Sequence, residues 1–546
     1  MTYIKNYQRW LDNVKDEALL DELKVMSDKE KEDAFYRDLA FGTGGLRGTL
    51  GAGTNRMNIY VVAKASQGLS NYLKNNFDDP SVVIGYDTRI NSDLFSKVTA
   101  EVFAFNGIKV NIYDKPLPVP TVSFGTRKLN ASAGVMITAS HNPSKYNGYK
   151  VYGADGCQIT TEAAGQILAE IDKIDEFSVE IADFENNPLI EYISEDVLTS
   201  FIEEVKKQSF LYDEKIDKDI SIVYSPLNGT GLLPVTRVLK ELGYTNIITV
   251  KEQEAPDGNF PTCPYPNPEV REAMELGIKY ARENDADILI ASDPDCDRVG
   301  VAIKDEDDFT ILSGNEVGVL LLKYICEQKT KHDDMPSDPV LIKTIVTTDL
   351  ADKIADSYGV KTINVLTGYK FIGEQIGVLE QHNRLNDFIF SFEESDGYLS
   401  GPYVRDKDGV NGSCLVCEMF SYYEDKGISL KDKLEEIYRE YGYYHNFLKS
   451  FEFPGSSGFE KMQDIMASLR NDPLTKINDV EIEKCNDYSS GIEGLPKSDV
   501  LKYYLKDGST IVVRPSGTEP KLKMYISLLT DSEETVDRIC EELLNH

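Results

Sequence analysis

The sequence predicts an α/β protein of several domains: three similar α/β units with mixed, largely parallel sheets, then a smaller α+β unit at the C-terminal end. Three observations carry this. Short apolar runs alternate with helix-periodic stretches from Val82 to about residue 440, the strand–helix–strand rhythm of a parallel sheet. Those runs end repeatedly in loops rich in glycine, carboxylate and hydroxyl groups, where open α/β sheets bind ligands. At 546 residues the chain has room for three or four domains.

Residues 1–40 are expected to form a helical arm, with Trp10, Leu11, Val14, Leu19, Leu20, Leu23 and Val25 spaced by threes and fours among charges. The first domain, 41–205, opens on Phe41-Gly-Thr-Gly-Gly-Leu-Arg-Gly48. Its glycines let backbone approach a ligand closely while Arg47 supplies a fixed cationic fork. Val82–Ile84 and Ile108–Tyr113 read as strands. Val135–Ile137 reads as a third, breaking into Thr138-Ala-Ser-His-Asn-Pro143 and continuing to Lys150. Ser140 is a potential phosphoryl carrier if a base or cation activates it, with His141 and Lys150 nearby in sequence. The plain alternative is a capping serine in an Asn-Pro turn.

The second domain, 206–309, has a strand at Ile220–Tyr224 running into Ser225-Pro-Leu-Asn-Gly-Thr-Gly231. Asn267-Pro268 then signals a helix start, with Val270, Ala273, Met274, Gly277 and Ala281 as its apolar stripe. The strand Ile288–Ala291 discharges into Ser292-Asp-Pro-Asp-Cys-Asp-Arg298, whose alternating Asp293, Asp295 and Asp297 suit a hard divalent cation such as Mg²⁺. Arg298 and Lys304 stand where an EF-hand needs glycine and glutamate. An acidic surface turn is the alternative.

In the third domain, 310–440, strands at Leu341–Val346, Thr362–Leu366 and Phe388–Phe392 lead to Thr367-Gly-Tyr-Lys-Phe371 and to Glu393-Glu-Ser395. The second set offers acceptors for sugar hydroxyls or an acid/base pair. Residues 441–546 change character. Gly455–Gly458 reads as a loop, and Ile511–Val513 and Leu522–Ile526 flank Arg514-Pro-Ser-Gly-Thr-Glu-Pro-Lys521, a turn able to grip a phosphate dianion. A last helix is expected behind a Thr530…Glu533 capping box.

Composition narrows the partners. With 58 basic against 92 acidic residues the formal charge is −34, which repels nucleic acid and anionic membrane; neither is expected as a partner. No stretch has the roughly 20 apolar residues of a spanning helix, and the N-terminus lacks a signal-like apolar core. The eight cysteines are scattered. Cys414 and Cys417 lack a second pair or a histidine to complete a zinc site, so they read as buried helix residues in a reduced, cytoplasmic protein.

In register, these loops resemble the phosphohexomutase superfamily, the phosphoglucomutases and phosphomannomutases, from about residue 40 to the C-terminus. Thr138–Pro143 resembles its phosphoserine loop and Asp293–Arg298 its metal loop, with Pro294 and Cys296 replacing the usual glycines. Glu393–Ser395 resembles the sugar loop and Arg514–Thr518 the phosphate loop. Thr367–Phe371 and Arg405–Lys407 match further substrate contacts of the phosphoglucomutase branch, and the arm looks like that of its longer bacterial members.

The resemblance implies four domains around a central cleft and exchange of glucose 1- and 6-phosphate. Ser140, Asp293, Asp295 and Asp297 would hold one Mg²⁺, and glucose 1,6-bisphosphate would be intermediate and activator. Lys150 and Arg47 become the first candidates for proton handling and charge stabilisation, with His141 and Lys407 behind them. Arg298, Thr367, Gly368, Lys370, Glu393, Ser395, Lys407, Arg514, Ser516, Gly517 and Thr518 would bind the phosphosugar. A monomer or weak homodimer is expected. Mannose or pentose phosphates, an aspartyl-phosphate chemistry at Asp293 and a silent phosphosugar-binding protein remain open alternatives.

Overall fold

The computed structural model describes residues 2–546 except 43, 160, 306, 307, 454, 493 and 517–520. The helical arm, Thr2–Asn13, Glu17–Val25 and Asp28–Phe35, buries Trp10, Leu23 and Phe35 in a cluster of its own. Trp10 Nε1 donates to Glu176 Oε1 at 3.0 Å, fixing the arm to the unit that follows. Val25, expected on the apolar stripe, is 81% exposed because it ends its helix.

Four sheets follow. The first comprises β1 (Gly45–Thr49), β2 (Ser81–Tyr86), β3 (Lys109–Ile112), β4 (Ala133–Ile137), β5 (Tyr146–Gly153) and β6 (Ile190–Tyr192), in the order β1-β5-β4-β2-β3-β6. β4, β2, β3 and β6 run parallel, while β5 and β1 return antiparallel. The second sheet holds β7 (Ile222–Ser225), β8 (Ile247–Thr249), β9 (Ile288–Ser292), β10 (Val299–Asp305) and β11 (Asp308–Leu312), ordered β11-β10-β9-β7-β8. Here too a parallel core, β9-β7-β8, carries an antiparallel flank.

β12 (Val340–Thr344), β13 (Lys361–Val365), β14 (Phe388–Glu393) and β15 (Gly397–Leu399) make the third sheet, β13-β12-β14-β15, parallel except for β15. In each of these three sheets the central strands are buried on both faces, β4, β9 and β14 throughout, which is why they read as unbroken apolar runs. The fourth sheet, β16 (His445–Glu452), β17 (Lys476–Ile477), β18 (Val480–Asp487), β19 (Leu501–Leu505), β20 (Thr510–Pro515) and β21 (Lys521–Leu528), is antiparallel throughout. Three mixed α/β sheets and an α+β unit are the predicted fold class.

One apolar core runs from Val83 and Val122 through Tyr224 and Val235 to Phe390, Tyr398 and Val410, so the first three units share packing. The fourth has its own core around Met462, Val513 and Ile539. Among the described residues no helix is long and apolar enough to cross a membrane. Cys414 and Cys417 are buried in the helix Gly409–Glu424.

Three local readings need correction. The helix after Asn267-Pro268 begins only at Arg271; Asn267 Oδ1 instead accepts from Glu269 N at 3.2 Å and closes a turn before it. Gly455–Gly458 is not a loop but the first turn of the helix Gly455–Asn471. The last helix, Glu533–Leu544, is capped by Ser532, whose hydroxyl accepts from Thr535 N, and not by Thr530. The last reflects a choice between neighbouring hydroxyl residues that sequence alone weighs equally.

Candidate active site

β4 ends at Ile137, and the chain turns sharply enough that Ser140 adopts a left-handed φ of 51°, rare for a residue other than glycine. Two devices hold that conformation. Thr138 Oγ1 accepts from Ser140 N at 2.8 Å while donating to Asp87 Oδ2 at 2.6 Å. Arg89, fully buried, donates to the carbonyls of Ser140 and Asn142, and to those of Pro143 at 3.0 Å and Tyr146 at 3.1 Å. Its Nε lies 3.3 Å from Asp87 Oδ2, so the clamp is itself ion-paired. Asp87 and Arg89 close the strand end of β2, and the guanidinium fork spans the loop as lysine could not. Their part is not legible in sequence; the only hint is an Asp-x-Arg at the carboxyl end of a buried strand.

Ser140 Oγ donates to Asp293 Oδ2 at 2.9 Å, which brings the loop of the first unit against the loop after β9 in the second. Asp293, Asp295 and Asp297 are buried with one oxygen of each within 4.8 Å of the others. Asp293 Oδ1 accepts from the N–H groups of Asp297 and Arg298, both at 3.1 Å. Asp295 Oδ1 and Asp297 Oδ1 are buried without a hydrogen-bond partner, a costly state for carboxylate oxygens. Converging hard oxygens, two of them orphaned, fit a divalent cation such as Mg²⁺.

The charges around this cluster come from three units. Lys150 on β5 reaches Asp295 Oδ2 at 2.9 Å and Asp297 Oδ2 at 3.4 Å, and Lys407 reaches Asp297 Oδ2 at 3.0 Å. Burial alone would discharge Lys150, but Asp295 and Asp297 outweigh it and raise its pKa. Lys407 is likewise held charged by Asp297 and Asp406 against its burial. Burial, then Asp295 and Asp297, pushes Asp293 well above the carboxylate range, whereas Lys150 overcomes burial at Asp295 and holds it low.

His141 Nδ1 lies 3.2 Å from Ser140 Oγ. Burial and the cations Arg298 and Arg47 drive its pKa well below the ordinary value, so the ring is neutral. The imidazole therefore touches the serine, while the Lys150 ammonium faces the carboxylates. Arg47 on β1 donates to Asn142 Oδ1 at 3.0 Å, at the rim of the same loop. Arg298 pairs with Glu269, a partner that sequence reading passed over.

These groups line a cleft of about 2530 Å³ shared by all four units. Thr367, Gly368 and Lys370 enter it from the turn after β13, and Glu393 and Ser395 from the end of β14. Gly368, at φ 118°, donates its N–H to Glu393 Oε1 at 3.1 Å, tying the two loops together. Burial, with Glu394 adding to it, raises Glu393 to about 7. Arg514 at the end of β20 and Ser516 line the same cleft from the fourth unit. Gly517 and Thr518 lie outside the described residues. Of the remaining predicted residues, Ser140, Lys150, Arg47, His141, Asp297, Arg298 and Lys407 line the cleft, with Asp293 and Asp295 just beneath it.

Four domain families of phosphoglucomutase/phosphomannomutase match the chain in succession. They are the alpha/beta/alpha domains I, II and III over residues 38–178, 199–306 and 313–441, and the C-terminal domain over 460–546. Phosphoglucomutase of Staphylococcus saprophyticus is 38% identical over 552 aligned positions, covering 98% of each chain. That of Staphylococcus aureus MSSA476 is 35% identical over 533, covering 95% of each. Among solved structures, a phosphoglucomutase/phosphomannomutase family protein from Burkholderia thailandensis superposes with a TM-score of 0.70 at 17% identity, over 92% of this chain and 96% of that one. Pp63/parafusin from Paramecium does so at 0.68 and 16%, over 93% and 96%. Four domain matches in order, with relatives alike from end to end, place the chain in the phosphoglucomutase/phosphomannomutase family.

Proposed function

We propose that the chain interconverts α-D-glucose 1-phosphate and glucose 6-phosphate as a phosphoserine enzyme, with glucose 1,6-bisphosphate as the intermediate. The observation that carries this is Ser140 Oγ, held 2.9 Å from Asp293 inside a buried triad with two orphaned carboxylate oxygens, at the floor of a cleft that all four units line. In a chain of formal charge −34, Arg47, Lys150, Arg298, Lys407 and Arg514 turned to one cleft suit a ligand with two phosphates. The near-full-length relatives named phosphoglucomutase favour glucose as the sugar.

Ser140 carries the phosphoryl group on Oγ. A sugar hydroxyl attacks phosphorus, the P–Oγ bond breaks, and the bisphosphate forms; after it reorients, the other phosphate returns to Oγ and the isomer leaves. Phosphoryl transfer asks mainly for alignment and charge neutralisation. Asp293, Asp295 and Asp297, with a phosphoserine oxygen, would hold one Mg²⁺, which supplies neutralisation of the transferring group. Lys150 and Arg47 add fixed positive charge. His141, neutral and next to Oγ, is the group able to take a proton there, while Lys150, kept charged, can only donate one or neutralise.

Arg514, Ser516, Gly517 and Thr518 would grip the phosphate not in transfer. Glu393, Ser395, Thr367, Gly368 and Lys370 would take sugar hydroxyls and the bound phosphate in either orientation. A coupled assay of glucose 6-phosphate formation from glucose 1-phosphate tests the proposal, with mannose, ribose and deoxyribose 1-phosphates alongside. Glucose should give the highest kcat/KM; no turnover of any of the four would overturn the mutase reading for this chain.

A further inference from the structure

Phosphoryl transfer calls on the carboxylates of the aspartate loop and leaves its backbone unexplained. Pro294 O accepts from Thr230 N at 2.9 Å and Thr230 Oγ1 at 3.0 Å. Asp295 O accepts from Val119 N at 2.9 Å, and Cys296 O from Gly409 N at 3.1 Å. Thr230 lies in the loop after β7. Val119 is the first residue of the helix Val119–Lys128 in the first unit, and Gly409 that of the helix Gly409–Glu424 in the third. Three consecutive carbonyls are thus held by three different units.

The carboxylates repeat the pattern, Lys150 coming from the first unit and Lys407 from the third. The fit is close: a Cβ on Gly409 would sit 2.6 Å from Cys296 O, and one on Gly229 2.4 Å from Pro294 Cα. Cys296 itself is held at a φ of 50°, where glycine would be at ease. The apolar core continuous through these three units is distinct from the main core of the fourth.

A cation site needs its oxygens fixed within a narrow shell, and the backbone that carries them must be fixed first. We propose that the affinity of the aspartate loop for a divalent cation is set by the hydrogen bonds its carbonyls accept from the loop after β7 and from the docked first and third units, with Thr230 and Val119 as positioning residues. Cation binding and assembly of the three units are then one linked equilibrium, each strengthening the other. The inference rests on the reading of the triad as the metal site.

The test is direct Mn²⁺ binding to the full-length chain, followed by electron paramagnetic resonance. Val119→Pro removes the N–H that reaches Asp295 O and trims a buried side chain; the backbone accepts it, because proline suits the first position of a helix and Pro118 already has the extended ψ of 146° that a residue before proline adopts. Val119→Ala trims the side chain and keeps the N–H. Val119→Pro should bind Mn²⁺ about tenfold more weakly than Val119→Ala, the effect of about one hydrogen bond. Thr230→Val should likewise bind more weakly than Thr230→Ser, which retains the hydroxyl.

Saturating Mn²⁺ should also raise the melting temperature of Val119→Pro less than that of the parent. Equal affinities within both pairs would overturn the inference; if Val119→Pro fails to fold, the Thr230 pair decides. Asp295→Asn should abolish tight Mn²⁺ binding, seen as a free-ion signal that the protein no longer diminishes. Tight binding that persists there would overturn the metal reading and this inference with it, whereas binding lost there with equal affinities within both pairs overturns the carbonyl anchoring alone.

Discussion

Replacing Glu393 by glutamine should stabilise the protein at pH 8 and do so far less near pH 5. The carboxyl is buried at the end of β14, and burial, with Glu394 adding to it, raises its pKa from 4.5 to about 7 against the pull of Lys407. Below 4.5 it is protonated in folded and unfolded chains alike, and its contribution to stability is fully present. As pH rises the unfolded chain ionises first, and that stability is lost as pH passes through the folded value near 7. The loss is about 1 kcal/mol at pH 5 and about 3 kcal/mol at pH 8, at roughly 1.4 kcal/mol for each tenfold difference in proton affinity between the folded and unfolded chains.

Glutamine keeps the shape and an oxygen for the Gly368 N–H, but it cannot ionise. Thermal unfolding of parent and Glu393→Gln at pH 5, 6, 7 and 8 reads the difference. The gap should open with pH to several degrees, given about 2–4 °C per kcal/mol for domains of this size. A gap that stays constant across the range, or closes as pH rises, would refute the buried-carboxyl account. The variant should gain stability and lose turnover, because a buried acid facing a ligand cleft is kept for function at a cost to the fold.

Arg89→Met should remove a donor from each of four carbonyls and leave Asp87 buried without its cation. The expected destabilisation is about 3–5 kcal/mol, read as a lower melting temperature and faster proteolysis of the 140–146 loop. Asp295→Asn should lower Mg²⁺-dependent turnover about 100-fold, the loss of about 3 kcal/mol of charge stabilisation, with the melting temperature within a few degrees of the parent. Arg514→Ala should reduce kcat/KM about 10- to 100-fold through lost charge-assisted hydrogen bonds to phosphate, while phosphoserine at position 140 persists.

Much of this architecture is legible in the sequence, for a physical reason. Buried strands such as Val135–Ile137 and Ile288–Ala291 must be apolar on both faces, and the polar residues straight after them can only be where the chain leaves the sheet. That places Ser140 and the aspartates at strand ends without any alignment. What stays hidden depends on distance in space. Arg89 matters because it meets carbonyls more than 50 residues away, and Glu269 because it meets Arg298; nothing local to either names its partner.

The same holds for charge state. In sequence Lys150 ranks ahead of His141 for proton handling, and only their surroundings, two aspartates for one and burial with two arginines for the other, separate a fixed cation from a neutral ring. Helix starts fail for a smaller reason. Thr530 and Ser532 both have capping chemistry two residues apart, and Asn267 has it where the next helix starts four residues later without a side-chain cap.

The central claim is that Ser140 carries a phosphoryl group between the two ends of a sugar. Intact-mass spectrometry of the freshly purified chain, before and after incubation with glucose 1-phosphate, tests it most directly. The parent should show one phosphoryl adduct that exchanges with substrate phosphate and maps to Ser140, and Ser140→Ala should show none. An adduct that persists in Ser140→Ala, or turnover without any adduct in the parent, would contradict the claim.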